Sequence, residues 1–205
     1  MDNNLIVGVQ NSSDTLSVKA RAGRQGETIV SELHGKYYEQ TFRRNTFSVA
    51  TQALVTTTVG LATTYTGLVL SNPVNSGVNL EIITASMMQS VIQATQVEAF
   101  AIATGYNGST NVTHTTPVTP RSSFIGSGVT PIALADVSAT LPTAPFYDTF
   151  FTNTGTATAD STGMQIWDVA GQIVLAPGAY ILFVTPAQAS VAGMWFSFKW
   201  NEVPV

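Results

Sequence analysis

Residues 176–185 have the sequence APGAYILFVT, and residues 194–203 have the sequence MWFSFKWNEV. Proline fixes φ and glycine accepts the left-handed conformation, so Pro177-Gly178 predicts a reversal of the chain. The side chains that follow alternate between two faces, as they do in a β-strand. The two predicted faces are Ile181, Phe183 and Thr185, and Tyr180, Leu182 and Val184.

The second stretch predicts a strand with one aromatic face. Its two faces are Phe196, Phe198 and Trp200, which we expect in the core, and Trp195, Ser197 and Lys199. A strand, a Pro-Gly turn, an aromatic strand, a short loop and another aromatic strand would pair the final strand with central ones. This order favours a jelly roll over an immunoglobulin-like sandwich, which usually has an early core tryptophan.

The chain from Thr46 onward has the composition of short strands. Branched and apolar residues occur in runs interrupted by Gly, Pro and Asn, and branched side chains fit a pleated sheet. Turn residues predict a hairpin within residues 67–82, at Asn72-Pro73 and Ser76-Gly77. A second hairpin is predicted within residues 165–175, around Gly171.

Only residues 85–100 also fit a helical period, and the pattern alone does not separate helix from strand there. We favour strands. Turn signals at intervals of about 8 to 12 residues are typical of an antiparallel sandwich. We therefore predict an all-β protein with an antiparallel β-sandwich of jelly-roll type at residues 46–205, preceded by an extended N-terminal arm at residues 1–45.

The arm is inferred from charge. Six of the eight basic residues fall within the first 44 positions, and the composition changes near Asn45. A first pair of solvated strands in the same domain is the alternative interpretation.

Over the whole chain, 10% of residues are charged and 44% are apolar, with a net charge of −4. A typical domain is about 25% charged, so we expect much of this surface to be covered by other subunits. The net charge gives no reason to expect nucleic acid as a partner. Residues 1–10 lack the features of a signal peptide, and Thr and Gly interrupt residues 53–70, so we expect a soluble protein without a membrane helix.

The sequence offers little chemistry. There is no cysteine, which excludes disulfides, thiolate metal sites and a cysteine nucleophile. His34 has only Glu32 at metal-ligand spacing and His114 has no such neighbour, so we expect both histidines to be exposed and predict no metal site.

The carboxylates do not suggest a catalytic pair. They are spread singly beside turn-forming residues and are expected to form local hydrogen bonds in loops; the residues concerned are Asp136, Asp148, Asp160 and Asp168. No serine-hydrolase elbow, Walker loop or dinucleotide motif occurs. We predict no catalytic residue, no cofactor and no enzyme activity.

Residues 36–44, KYYEQTFRR, interleave aromatic and basic side chains. This composition suits a protein interface or base stacking. Because Glu27, Glu32 and Glu39 nearly cancel the positive charge, a protein interface is favoured over nucleic acid, and ordinary strand packing stays open. The candidate partner-binding residues are Tyr37, Tyr38, Phe42, Arg43 and Arg44.

Three stretches resemble small structural proteins of tailed bacteriophages: LVLSNP running into SGVNL within residues 68–80, GKYYE at 35–39 and WNEVPV at 200–205. Within that group the chain resembles head decoration (cement) proteins, which sit as trimers over junctions of the capsid shell. The resemblance implies a jelly-roll body, a homotrimer and the major capsid protein as partner. It also implies a place on the capsid exterior after synthesis in the bacterial cytoplasm.

Under this interpretation, the candidate residues of the arm lie on the capsid and the body forms the trimer. The alternative is a tail or head fibre subunit whose loop at residues 104–121 binds a host-surface glycan or receptor. The resemblance does not account for that Thr-rich loop.

Overall fold

The computed structural model describes residues 4–6, 17–19, 35–90, 97–154, 164–186 and 193–205. The chain divides into two units, Met1–Tyr38 and Glu39–Val205. In the first unit, β1 (Asn4–Ile6) pairs antiparallel with β2 (Ser17–Lys19). The extended docking arm at residues 1–45 stays a prediction.

The other elements, in chain order, are α1 (Tyr38–Phe42), β3 (Thr46–Ala50), β4 (Thr64–Ser71), β5 (Val78–Gln89), β6 (Val97–Tyr106), β7 (Thr113–His114), β8 (Pro117–Val118), β9 (Arg121–Ser122), β10 (Leu134–Thr140), β11 (Phe146–Thr154), β12 (Met164–Asp168), β13 (Val174–Leu175), β14 (Ala179–Val184) and β15 (Met194–Pro204). No helix in the described segments has the length and apolar character needed to cross a membrane.

The strands of the second unit form two antiparallel sheets. Sheet I has the order β12-β5-β15-β3-β9, with β13 also on β5. Sheet II has the order β11-β6-β14-β4-β10-β7, with β8 also on β10. The predicted all-β antiparallel sandwich is confirmed, and the final strand β15 lies inside sheet I, as expected.

Eight of these strands pair as nested partners, like a long hairpin folded over on itself. The pairs, from the outside inward, are β3 with β15, β4 with β14, β5 with β12 and β6 with β11. Successive pairs alternate between sheet I and sheet II. Strand β10 stands outside this scheme and extends sheet II beside β4.

The main core lies between the sheets. It contains the predicted aromatic face of β15 and one predicted face of β14, and Phe183 stacks on Phe196 and Phe198 at centroid distances of 4.6 and 4.7 Å. Trp200 is fully buried in the same cluster. Burial of such aromatic side chains is a major source of stability.

A second cluster covers the outer face of sheet II. It contains the other predicted face of β14, together with Tyr65, Val69 and two alanines of β6. Leu61 and Val112, from segments outside the long strands, pack onto it. The middle of sheet II is therefore buried on both faces, which explains why every residue of β14 after Ala179 is buried.

The hairpin predicted within residues 67–82 is wrong in its pairing. Strands β4 and β5 belong to different sheets, and the turn residues between them carry the chain across the sandwich. Asn75 and Gly77 have positive φ, and the Asn72 side-chain amide donates to the carbonyl oxygens of Val78 and Leu175. The same turn chemistry thus serves a crossover here.

The hairpin predicted around Gly171 is also wrong. Strands β12 and β13 both run antiparallel to β5, so the chain continues in one direction instead of reversing. Ala170 and Gly171 have positive φ and donate their backbone N–H groups to Ile83 and Ile82. These residues form an irregular excursion within one edge strand.

The Pro-Gly reversal is confirmed. Gly178 has a φ of 89°, and the Ala179 N–H donates to the Ala176 carbonyl oxygen at 2.9 Å. Strands rather than a helix occupy the described parts of residues 85–100.

Candidate functional site

Three polar side chains meet on the outer face of sheet II, on three consecutive strands. Ser71 ends β4, His114 ends β7, and Asp136 lies within β10. The Ser71 hydroxyl oxygen is 3.2 Å from His114 Nε2, and His114 Nδ1 is 3.5 Å from Asp136 Oδ2. Sheet pairing therefore brings together residues that are far apart in the chain.

The Asp136 carboxylate is fully buried and holds the segment before it in place. It accepts hydrogen bonds from the Thr116 N–H, 3.0 Å from each oxygen, and from the Ser138 N–H at 2.5 Å. The expected local hydrogen bond exists, from Ser138 two residues on, but Asp136 lies in a strand rather than a loop and also holds Thr116, 20 residues away. A buried carboxylate needs such donors, because an unpaired charge is costly away from water.

His114 is not exposed, as the sequence led us to expect, since only 15% of its side chain is accessible. Burial lowers its pKa, and this effect outweighs the opposing influence of Asp136. The imidazole is therefore neutral near pH 7. Its Nδ1 has no hydrogen-bond partner among the described atoms.

The order of hydroxyl, imidazole and carboxylate is that of a serine-hydrolase triad. The separation between His114 and Asp136 nevertheless exceeds a hydrogen bond. The adjoining cavity, of about 160 Å³, is lined in part by Ser71, Asn72, His114 and Gly178. Within it, the N–H groups of Asn72 and Gly178 already donate to the Ala179 and Asn72 carbonyl oxygens.

Acyl transfer requires N–H donors aimed at the developing oxyanion, and those two groups are engaged elsewhere. What the cluster does in this structure is to fasten the Thr-rich segment at residues 105–121 to sheet II. Asn111 supports the same attachment, because its side-chain oxygen accepts from the Val74 N–H at 2.7 Å. The segment is anchored rather than projecting as a free loop.

The predicted partner-binding residues fall on both sides of the division between the units. Tyr37 and Tyr38 end the first unit, and Phe42, Arg43 and Arg44 begin the second. Arg43 pairs with Glu39 at 2.7 Å on α1. Their role in binding a partner stays a prediction.

The structure adds a neighbour that the sequence did not suggest. Phe124 stacks on Phe42 at a centroid distance of 6.3 Å, and the Arg44 guanidinium lies 5.9 Å from the Phe124 ring centroid. The adjacent Ile125 is 84% exposed, and Arg121 lines the same cavity as Phe124 and Ile125. The side of the sandwich at β9 thus combines positive charge with exposed apolar groups.

The side formed by β11 and β12 has the opposite charge. The ring centroids of Phe151 on β11 and Trp167 on β12 are 6.2 Å apart in an edge-to-face arrangement, so the two edge strands lie next to each other. Exposed side chains here include Phe146, Asp148, Ile166 and Asp168. A cavity of about 590 Å³ opens between Tyr106, Phe146, Asp148 and Gln172, among others.

Metal ligands do not cluster in the described residues, where no group of three or more His, Cys, Asp or Glu side chains could hold an ion. Glu32 and His34, the pair weighed from the sequence, lie outside the described residues.

Comparison with known proteins adds little. No protein-family model and no curated protein matches the chain. Among solved structures, a chain from "KBV activated particle at acidic pH" aligns with 100% of this chain and 91% of its own length, at 9% identity and a TM-score of 0.26. A similarity this low carries no argument about fold or function.

Proposed function

We propose that this chain is a virion structural protein, a decoration protein that binds the assembled phage head as a homotrimer. The observation that carries the proposal is the exposure of large apolar side chains along the edges of the sandwich, among them Ile125, Phe146, Phe150 and Ile166. Large apolar side chains exposed close together mark sites of association, and Phe146, Phe150 and Ile166 belong to the neighbouring edge strands β11 and β12. The resemblance of three stretches to phage structural proteins supports the virion as the place.

We also infer that the sandwich is a jelly roll. Nested pairing of four strand pairs that alternate between two sheets is what a long hairpin gives when it is rolled into a barrel-like sandwich. The four pairs described above meet this condition, with β10 as an addition at the edge of sheet II. This topology supports the fold that the resemblance implies.

The physical role needs no turnover. A protein that binds only the assembled shell shifts the assembly equilibrium toward it. A trimer holds the shell at three points, so weak single contacts combine into tight binding. In this proposal Tyr37, Tyr38, Phe42, Arg43 and Arg44 contact the major capsid protein on the exterior of the head.

Binding to heads that lack this protein tests the proposal. We expect the full chain to co-sediment with such heads and to raise the temperature at which they release DNA. The variant Tyr38→Ala/Arg43→Ala should bind at least tenfold more weakly, as expected for loss of interface anchors. Leu54→Ala, which truncates an exposed side chain elsewhere, is the control.

Two outcomes would count against the proposal. If the full chain does not bind heads, the decoration role is wrong. If the full chain binds and Tyr38→Ala/Arg43→Ala binds equally well, the docking residues are wrongly assigned.

One observation favours a receptor-binding fibre subunit as a second candidate. Tyr106 and Phe146 flank the 590 Å³ cavity together with Asp148 and Gln172, and exposed aromatic rings beside polar groups suit a sugar. A glycan array tests this candidate. We expect wild-type binding that Tyr106→Ala abolishes; no glycan binding by the wild type would exclude it.

A further inference from the structure

A closed ring of three identical subunits needs two different surfaces on each copy, because every interface joins one surface to the other. The contact between copies therefore depends on the homotrimer of the proposed function, in which two such surfaces of each copy must meet. They must be separate on the monomer and complementary in chemistry.

One row of side chains crosses the outer face of sheet I and links its two edges. Register places Arg121 beside Ser48, Ser48 beside Lys199, Lys199 beside Thr84 and Thr84 beside Asp168. Neighbouring strands are about 4.8 Å apart, so the ends of the row are separated by roughly 19 Å. The row is positive at the β9 edge and negative at the β12 edge.

Exposed apolar side chains accompany each end of the row. Phe124 and Ile125 lie two and three residues after the end of β9, and Met164 and Ile166 belong to β12. Ile125 is 84% exposed, and Ile166 is 63% exposed. Each end therefore offers a charge beside exposed apolar side chains, chiefly Ile125 at one end and Met164 and Ile166 at the other.

Both ends are also edges of the sheet. Within the described residues, β9 pairs only with β3, and β12 pairs only with β5. An edge strand leaves one row of backbone groups without strand partners, and proteins cover such edges or use them for association.

We propose that the β9 edge of one copy docks against the β12 edge of the next, with Arg121 facing Asp168 and the two apolar pairs packed around them. Complementary charge identifies the occupant as a second copy of this chain. A two-fold contact through either edge would instead bring like charges together, which is unfavourable. The contact is directional, so it can propagate around a ring.

Charge reversal tests this contact in the full chain. Arg121→Glu places negative charge at both edges, and we expect the concentration at which the trimer dissociates to rise at least tenfold. The variant Arg121→Glu/Asp168→Lys exchanges the two charges and keeps the net charge at −4, so it should regain the trimer. Lys199→Glu makes the same change of charge in the middle of the row and should leave the trimer intact.

Light scattering after size exclusion gives the readout, at low and at high salt. The wild type should have a mass near 65 kDa, about three times 21.7 kDa, and far-UV circular dichroism should show that each variant is folded. A wild-type trimer that Arg121→Glu leaves unchanged would overturn this contact while leaving the homotrimer standing. A wild type that is monomeric at every concentration would overturn the homotrimer itself.

Discussion

The two sheets of the sandwich differ in how much of their outer faces the chain covers. The chain itself covers sheet II, through Leu61, Val112 and the anchored segment at residues 105–121. Sheet I has a buried inner face, but its outer face exposes Met88, Met164 and Ile166. The middle of sheet II is therefore covered within one chain, although its edge strand β11 exposes Phe146 and Phe150, whereas the outer face of sheet I stays exposed.

Among the substitutions that compare a covered with an open position, truncation of Phe183 should cause the largest loss of unfolding free energy. Its ring is 1% exposed and stacks on two phenylalanines, so Phe183→Ala should lower the free energy of unfolding by about 3–5 kcal/mol. Phe150→Ala, which truncates a 60% exposed ring, should change it by less than about 0.5 kcal/mol. Urea unfolding of the two variants measures both.

Equal losses of unfolding free energy for the two variants would contradict the distinction between a covered and an open position. They would mean that Phe150 is as well packed as Phe183, which the structure denies for the isolated chain.

A smaller effect is expected where sheet II buries a hydroxyl. The Tyr65 hydroxyl donates to the Phe183 carbonyl oxygen at 2.6 Å, and burial raises the Tyr65 pKa, so it stays protonated and remains a donor. Glycine at position 67 provides the space for this hydroxyl, because a Cβ there would overlap it. Tyr65→Phe should cost about 1–3 kcal/mol of unfolding free energy in urea titration.

The matched control is Tyr106→Phe, because that ring is largely exposed. We expect a change within about 0.5 kcal/mol. A comparable loss in both variants would show that burial of the Tyr65 hydroxyl is not what matters.

The faces of β14 and β15 could be predicted because strand alternation is a local property. Ile181 and Phe183 lie on one face of β14, and Tyr180 and Leu182 on the other, as the period of two requires. Pairing partners could not be predicted in the same way. The turn at Asn72-Pro73 is compatible with a hairpin or with a crossover, and only the rest of the sandwich decides between them.

The polar cluster was missed for a related reason. Ser71, His114 and Asp136 are 43 and 22 residues apart, and no spacing rule connects them until β4, β7 and β10 are neighbours. In the sequence, Ser71 ends an apolar run before a turn, His114 lies in a Thr-rich stretch, and Asp136 was expected in a loop. The one signal in the sequence was an aspartate within the apolar run Leu134-Ala135-Asp136-Val137.

A pH-dependent effect, expected to be smaller than the loss of the Tyr65 hydroxyl, should appear at His114. Burial lowers the His114 pKa in the folded state, whereas an unfolded histidine titrates near pH 6.5. As the pH falls below about 6.5, the unfolded chain takes up a proton before the folded chain does, so stability is lost as the pH falls through the lowered pKa. The contribution of the neutral His114 side chain to stability is fully present above about pH 6.5.

Urea unfolding at about pH 7 and about pH 5 checks this sign. The wild type should lose more stability on acidification than His114→Gln, which has no proton to accept at this position. An equal loss in both proteins would mean that the buried imidazole does not contribute to the pH dependence.

The smallest effect on folding is expected on the open side. Ile166→Ser replaces a 63% exposed side chain and should change the free energy of unfolding by less than about 0.5 kcal/mol. Because exposed apolar surface favours association, we expect its main consequence in self-association, measured by light scattering across a concentration series. If the free energy of unfolding, measured at concentrations where the protein is monomeric, changed by more than about 1 kcal/mol, the outer face of sheet I would be less exposed than described.

The pairing of β3 with β15 has a consequence for how the molecule is made. The Thr46 hydroxyl donates to the Asn201 side-chain oxygen at 2.7 Å, although the two residues are 155 positions apart in the chain. Until a ribosome has synthesised β15, strands β3 and β5 have no shared neighbour, and sheet I stays split. Contacts this distant in sequence slow folding and leave nascent apolar surface exposed meanwhile, so newly made chains should depend on chaperones until translation reaches the final strand.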